Sequence, residues 1–388
     1  MSKRQKLPLF HFEGLPDEIL LNIFSLLDIK GVLRCGQVSK RLRAISNDKL
    51  LWLKLNLFQR DIPYGFIDKA VQNGCEYLNL GFSCVQGGKK SKVPWKLKYL
   101  EISQSFDLPL WARAVPEGVL ENCQVLQKLS VEYLTLNSDE IEQICQNGEV
   151  LRILSLEGCI IDFYHRTELL QKLFTKCRQL TELNISKGMQ CAESEMFGFG
   201  YILLDPHVCA LVDNLTPNIL KLQLDSQECV QDRHVNTLVR RCNKITDLDL
   251  RLTSITNDSV GSIVEHLNSL EKLDLGYTNI DFSSLLRLKS IPTLKILRCF
   301  GRSKQSELNI LWSKDAEKIK NLKLQLPHIS INEADCNEDY LHIACTGKKI
   351  DGTINEEPYW EIRAKQQDTP ALDNLSCMKN VGAHWSCT

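Results

Sequence analysis

The chain has 388 residues, a formal net charge of −1 and 24% charged residues. That balance gives no electrostatic ground for binding nucleic acid or an anionic membrane. No apolar run approaches the roughly 18 residues that span a bilayer. The basic start at Lys3, Arg4 and Lys6 has no apolar stretch behind it, so residues 1–10 read as a flexible, solvated terminus rather than a secretion signal. As a short basic cluster it also fits a protein of nucleus and cytoplasm.

Residues 11–57 form a first, helical unit. Pro16 suits a first helical turn, Asp17 and Glu18 complement the positive end of the helix dipole, and Leu20, Ile23, Phe24 and Leu27 make an i, i+3, i+4, i+7 stripe. Short helices are expected around Val32–Cys35, Ser39–Ile45 and Lys49–Leu53. So small a unit carries more large apolar residues than it can bury, which points to a face covered by a partner.

From residue 58 to 332 one pattern returns about ten times, Leu-x-x-Leu-x-Leu with Ile, Val and Cys variants. Clear copies open at Leu97, Leu126, Leu151, Leu180, Ile219, Ile245, Leu270 and Leu294, and weaker ones at Cys75 and Leu326. The steps from Leu97 to Leu294 are 29, 25, 29, 39, 26, 25 and 24 residues, so one interval holds an insertion, about Lys187 to Asp205. The alternation inside each copy suits a short strand with one buried face. Between copies lie amphipathic stretches such as Val260, Ile263, Val264 and Leu267, with Asn257 or Asp258 placed to cap that helix. A strand and a helix per repeat, stacked many times, give an α/β leucine-rich-repeat solenoid with parallel strands on the concave side and helices on the convex side.

Sixteen cysteines in a chain with no Cys-x-x-Cys pair argue against zinc. Cys123, Cys177 and Cys242 each precede a repeat core by three residues and read as small buried apolar side chains. No nucleophile elbow, phosphate-binding loop or His-Glu-x-x-His occurs, so neither catalytic residue, metal nor cofactor is expected. What remains is a binding surface. Residues flanking the middle Leu of each strand face the concave side, and the last repeats offer Asp249, Arg251, Asp274, Arg298 and the aromatic Phe300. Stacking should set Asp249, Asp274 and Arg298 side by side, about 5 Å apart. The stretch Tyr359-Trp360-Glu361-Ile362-Arg363 in the tail, residues 333–388, also alternates like a strand.

The order Leu15-Pro16-x-Glu18-Ile19-Leu20-x-x-Ile23-Phe24, then Val38-Ser39-Lys40-Arg41, then Leu50-x-Trp52 resembles the F-box family over about forty residues. Leu42 stands where that family usually has Trp, and Ser39 where Cys is common. The resemblance implies binding to the Skp-type adaptor of a cullin ubiquitin ligase, with Leu15, Pro16, Ile19, Leu20, Ile23 and Trp52 as the adaptor contacts. Ile291-Pro292-Thr293-Leu294-Lys295-x-Leu297, Leu326-Pro327-His328-x-x-Ile331-Asn332 and Trp360-Glu361-Ile362-Arg363 are similar to the S-phase kinase-associated protein two subfamily. That likeness implies a non-catalytic substrate receptor of the cell cycle, its tail folded back along the concave face. There the tail helps seat a Cks-type kinase subunit, and the complex reads a phosphorylated client. Trp360 would then join Asp249, Arg251, Asp274, Arg298 and Phe300 in one composite site. A repeat scaffold with an unrelated client, or without a ubiquitylation role, uses the same surfaces. Members of the subfamily carry a long extension before the F-box, whereas here the F-box begins near residue 11, so control through such an extension is not expected to carry over.

Overall fold

A computed structural model describes residues 14–87, 94–104, 114–162, 165–187, 203–299 and 316–331. Phe300, Trp360, the tail from 332 onward and most of the 187–205 insertion lie outside them.

Four helices open the chain: α1 (Asp17–Ser25), α2 (Ile29–Val38), α3 (Lys40–Ser46) and α4 (Lys49–Trp52). Local chemistry sets their starts. Pro16, in extended conformation, is the cap of α1 rather than a member of its first turn. The side chains of Asp28, Ser39 and Asp48 accept backbone N–H groups of Gly31, Leu42 and Leu50 at 2.8, 3.2 and 2.9 Å. Caps of this kind are each worth about 1 kcal/mol and allow connections of one to three residues. The Asp28 cap also starts α2 three residues earlier than the apolar pattern suggests. Leu20, Phe24, Val32, Leu42 and Ile45 close the core of this bundle, so Leu42 takes an interior place.

Among the described residues the rest is built on one main parallel sheet of eleven three- or two-residue strands in sequence order: β1 (Lys54–Asn56), β2 (Tyr77–Asn79), β3 (Tyr99–Glu101), β4 (Lys128–Ser130), β5 (Ile153–Ser155), β6 (Glu182–Asn184), β7 (Lys221–Gln223), β8 (Asp247–Asp249), β9 (Lys272–Asp274), β10 (Ile296–Arg298) and β11 (Ser330–Ile331), with two short parallel pairs beside it, Asp61–Pro63 with Cys84–Gln86 and Thr135–Leu136 with Ile160–Ile161. Every repeat copy read from the sequence contributes a strand. The sheet also opens one strand earlier, at Lys54, inside the residues assigned to the helical unit. The middle residues of neighbouring strands pair in register, so Leu55, Leu78, Leu100, Leu129, Leu154, Leu183, Leu222, Leu248, Leu273 and Leu297 form one buried ladder. Helices such as Ser138–Cys145, Arg166–Lys176, Asp205–Asn214, Asp232–Arg241 and Asn257–His266 cover the opposite side. The Asn257–His266 helix is capped by Thr256, one residue before the expected Asn257 or Asp258. Cys123, Cys177 and Cys242 are free and fully buried in this core. Burial pushes the Cys177 thiol up to about 12 and the Cys242 thiol up to about 11.

After seven of these strands the residue three positions on takes a left-handed backbone: Gln59, Phe82, Tyr133, Gly158, Ser226, Leu252 and Tyr277. Side chains as large as Tyr and Leu rarely adopt it, at a cost of roughly 1–2 kcal/mol per residue. The compensation is a backbone bond to the next repeat, for example Tyr133 N–H to Glu157 O at 2.8 Å and Leu252 N–H to Gly276 O at 2.9 Å. At Gly158 a side chain is also excluded sterically, because a Cβ there would sit 2.5 Å from the Tyr133 ring.

Trp52 joins the two units. Its ring lies in the core of the repeats with Leu55, Leu57 and Ile67, while its indole N–H donates to Ser46 O in α3 at 2.7 Å. Truncating it removes a wholly buried aromatic from the junction. Trp52→Ala should destabilise the protein by about 3–5 kcal/mol, read as a lowered denaturation midpoint in urea. A midpoint unchanged from wild type would show that the two units are not joined through this side chain.

Candidate functional site

Two surfaces carry the residues singled out from the sequence. On the helical unit, the structure divides the six expected adaptor contacts. Leu20 and Trp52 have 0% exposure and serve the two cores, so neither faces outward. Of the helical stripe, Leu20 and Phe24 face inward, whereas Leu27, past the end of α1, is exposed. Ile23 and Leu15 are half-buried against the same core. Pro16 is exposed and its carbonyl accepts the N–H groups of Ile19 and Leu20. Arg41 ties this corner down, binding Asp17 Oδ1 and Leu15 O, each at 2.5 Å. Ile19 is 45% exposed, and its exposed companions Leu26, Leu27, Val38 and Leu50 were not among the expected adaptor contacts. Five of the eleven exposed large apolar side chains among the described residues therefore fall between residues 19 and 50. That concentration is what a partner-binding face requires.

On the concave side, the register does set Asp249 beside Asp274, and Asp274 beside Arg298. Their roles differ from the expected open binding face. The third residue of a strand repeatedly uses its side chain to accept the N–H two residues on: Asn79 from Gly81 at 2.8 Å, Glu101 from Ser103 at 2.9 Å and Asn184 from Ser186 at 3.1 Å. Asp249 and Asp274 do the same for Arg251 and Gly276, at 3.0 and 2.9 Å. They are buried turn caps. Because neutral Asn suffices elsewhere, the extra charge at 249 and 274 acts on neighbours. Arg251 pairs with Asp225, and Arg298 Nη1 lies 3.8 Å from Asp274 Oδ2. Burial holds the Asp249 carboxyl well above the usual range, helped by Asp274 and Asp225 nearby. Asp225 in turn keeps the Arg251 guanidinium firmly charged. The contributions of Phe300 and Trp360 lie outside the described residues.

Two polar groups escaped the sequence reading. Glu101, Glu132 and Glu157 are buried in the first repeats, Glu132 and Glu157 at one repeat position and Glu101 at the strand position two residues before it. Glu132 accepts from Ser155 Oγ at 2.5 Å and Glu157 from Tyr133 Oη at 2.9 Å. Burial, then the neighbouring Glu132, pushes Glu101 up to about 8. Secondly, a carboxylate oxygen of Asp205, the Cys209 sulfur and a ring nitrogen of His234 lie within 4.8 Å of one another. The tautomer decides what this group can do. His234 Nδ1 accepts the Gln231 N–H at 3.1 Å, so the ring proton of the neutral imidazole sits on Nε2 and points at Asp205 Oδ1, 3.1 Å away. A metal would need that nitrogen's lone pair and a donor role for Nδ1, the reverse of what the backbone imposes. Arg233 further occupies Asp205. The group is a hydrogen-bonded clasp between two helices. Register within the repeats was the signal that could have found the buried glutamates; nothing in the spacing of Asp205, Cys209 and His234 stands out.

Comparison with known proteins recovers both units of the chain. The family model for the SKP2 LRR domain matches residues 65–366, and an F-box-like model matches residues 12–57. F-box only protein 15 of Bos taurus is 30% identical over 90 residues, covering 23% of this chain and 18% of that protein. F-box protein dre-1 of Caenorhabditis elegans is 44% identical over 55 residues, 14% of this chain and 6% of that protein. The chain thus spans less than a fifth of the length of either. Among solved structures, the leucine-rich repeat-containing protein LegL7 from Legionella pneumophila matches with a TM-score of 0.35 at 11% identity, over 73% of this chain and 86% of that one.

The buried glutamates have a pH signature. A carboxyl whose folded pKa is raised binds its proton more tightly in the native state, so stability is greatest below about pH 4.5 and falls until about pH 8. Glu101→Gln keeps the acceptor for Ser103 and cannot ionise. It should flatten that part of the pH–stability profile and raise the melting temperature at pH 8. An unchanged slope between pH 5 and 8 would mean that Glu101 stays ionised in the folded chain. A companion variant, Asp249→Asn, should melt no lower than wild type, since Asn79 and Asn184 cap equivalent turns.

Proposed function

The chain belongs to the SKP2-type leucine-rich-repeat family and carries an F-box, and from that premise we propose that it is the substrate-recognition subunit of an SCF-type cullin ubiquitin ligase. The observation that carries this reading is the exposure of Ile19, Leu26, Leu27, Val38 and Leu50 on a bundle whose own core is already complete. Through those side chains the F-box would hold a Skp-type adaptor, and through it a cullin. The repeats hold the client. The chain contributes no chemistry to ubiquitin transfer; it sets which protein is brought near.

The client we infer is a phosphorylated cell-cycle regulator met in nucleus and cytoplasm, held together with a Cks-type kinase subunit. The subfamily resemblance supports it. So does the charge arrangement, for Arg251 and Arg298 are engaged by Asp225 and Asp274. A phosphate would then be read mainly by the accessory subunit rather than by these arginines.

The adaptor reading is tested with Ile19→Asp combined with Leu50→Asp, both at exposed positions that leave the cores intact. Each buried apolar side chain is worth roughly 1.5–3 kcal/mol at an interface, so adaptor binding should weaken by well over ten-fold with melting temperature unchanged. Co-purification of adaptor and cullin at wild-type levels with this double variant would sink the assignment of that face. Absence of any cullin with the wild-type chain would favour a repeat scaffold without a ubiquitylation role.

A further inference from the structure

Between Asp28 and Asp48 the chain has five basic residues, Lys30, Arg34, Lys40, Arg41 and Arg43, and no acidic one. This stretch folds as α2 and α3. On α2 the exposed positions are Lys30, Arg34, Gln37 and Val38, spaced i, i+4, i+7 and i+8, so they share one face. At about 1.5 Å of rise per residue, Lys30 and Val38 stand about 12 Å apart along it. Leu27 lies at the near end, its Cβ 3.3 Å from the place a Cβ on Gly31 would take. Exposed Leu27 and Val38 therefore bracket two cations on one stripe. Lys40 comes just after, in the first turn of α3.

The fold itself leaves these charges over. Arg41 binds Asp17 and Leu15 O, and Arg43 donates to Gly36 O at 3.1 Å. Lys30, Arg34 and Lys40 are exposed and enter no ion pair among the described residues. Asp28, the carboxylate beside the stripe, caps α2 by accepting the Gly31 N–H at 2.8 Å.

Lys30 and Lys40 also stand where a helix disfavours them. The first turn carries partial positive charge, so an acid there stabilises and a cation destabilises. α1 opens with Asp17 and Glu18, but α2 opens with Lys30 and α3 with Lys40 and Arg41, and neither has an acid in its first turn. A solvated helix face, the ordinary role of exposed charge, would be served as well by glutamate. A residue set against local preference marks a place where binding, rather than folding, gains.

We propose that Lys30, Arg34 and Lys40 form the electrostatic part of the adaptor-binding face and meet an acidic surface on the Skp-type adaptor. Leu27 and Val38 join this stripe to the apolar side chains assigned to the same partner, so one surface continues into the other. The cations steer the encounter and fix orientation, while the apolar side chains hold the complex once it has formed. This deepens the receptor reading and rests on it.

The test measures association and dissociation rates of the full chain with purified adaptor by surface plasmon resonance, at low and at high salt. Lys30→Glu combined with Arg34→Glu and Lys40→Glu should slow association by about ten-fold or more at low salt and flatten its salt dependence. The corresponding triple Gln variant should fall between it and wild type. Ile19→Asp with Leu50→Asp should instead act mainly by speeding dissociation. Lys30→Glu alone should raise the melting temperature while slowing association, two effects of opposite sign that damage to the fold would not produce. A wild-type association rate and salt dependence in the folded triple Glu variant overturn the proposal. So does a triple Glu variant that binds adaptor normally and loses only the cullin, which would place the acidic surface on the cullin. Failure of the wild-type chain to capture adaptor sinks the receptor reading itself, whereas normal capture with indifferent charge variants sinks only this steering surface.

Discussion

Everything in this molecule depends on backbone bonds passed from one repeat to the next. A three-residue strand has almost no stability of its own, and none of the repeats can bury its apolar side alone. Parallel pairing in strict register solves both problems together. It lines up the middle leucines into one core, and it hands each turn's N–H groups to the carbonyls of the following repeat. The strained left-handed residues at Tyr133, Ser226 and Leu252 are tolerated because the same geometry recurs and is bonded each time.

Register also governs chemistry on the concave side. Because equivalent positions become neighbours, one substitution in a repeat acts on two others. Where Asn caps a turn, the row is neutral. Where Asp replaces it at 249 and 274 the carboxyls still cap their turns, Arg298 lies beside Asp274, and Arg251 pairs with Asp225 of the repeat before. Where aromatic and basic residues coincide in β1 to β4, the tyrosines stack and each lysine lies over a ring. The concave side therefore changes character along its length, from aromatic and basic side chains to buried carboxyl caps.

The repeat array was legible in the sequence because its signal is periodic and redundant: the middle Leu recurs in ten strands, and even the weak copies at Cys75 and Leu326 proved to be strands. The opening strand at Lys54 was hidden, since its neighbours belong to a helical pattern. Site residues were harder. Leu20 and Trp52 looked like partner contacts because a motif shows which positions are fixed, not which side of a helix they face. Ile19 was expected from the motif and is exposed, whereas the exposure of Leu26, Val38 and Leu50 emerges only once the core is drawn. Asp249 and Asp274 were placed correctly side by side but read as solvent-facing, because alternation along a strand says nothing about the turn that follows it. The tyrosine row needs register across four repeats of unequal length, which no local window contains.

Trp52 has a consequence for how such a protein can be taken apart. Its ring belongs to the core of the repeats while its N–H is anchored in α3, and β1 follows within two residues. The F-box is thus the lid on one end of the sheet, and the seam between the units runs through Trp52, with Ile29, Leu33 and Leu51 packed on the same core, rather than through a linker. A chimera cut at the end of the F-box motif would leave the first strand with a bare edge and an unfilled hollow beneath it. A workable exchange of receptors between adaptors would have to be made inside the repeats, carrying the helices, Trp52 and at least the first strand across as one piece.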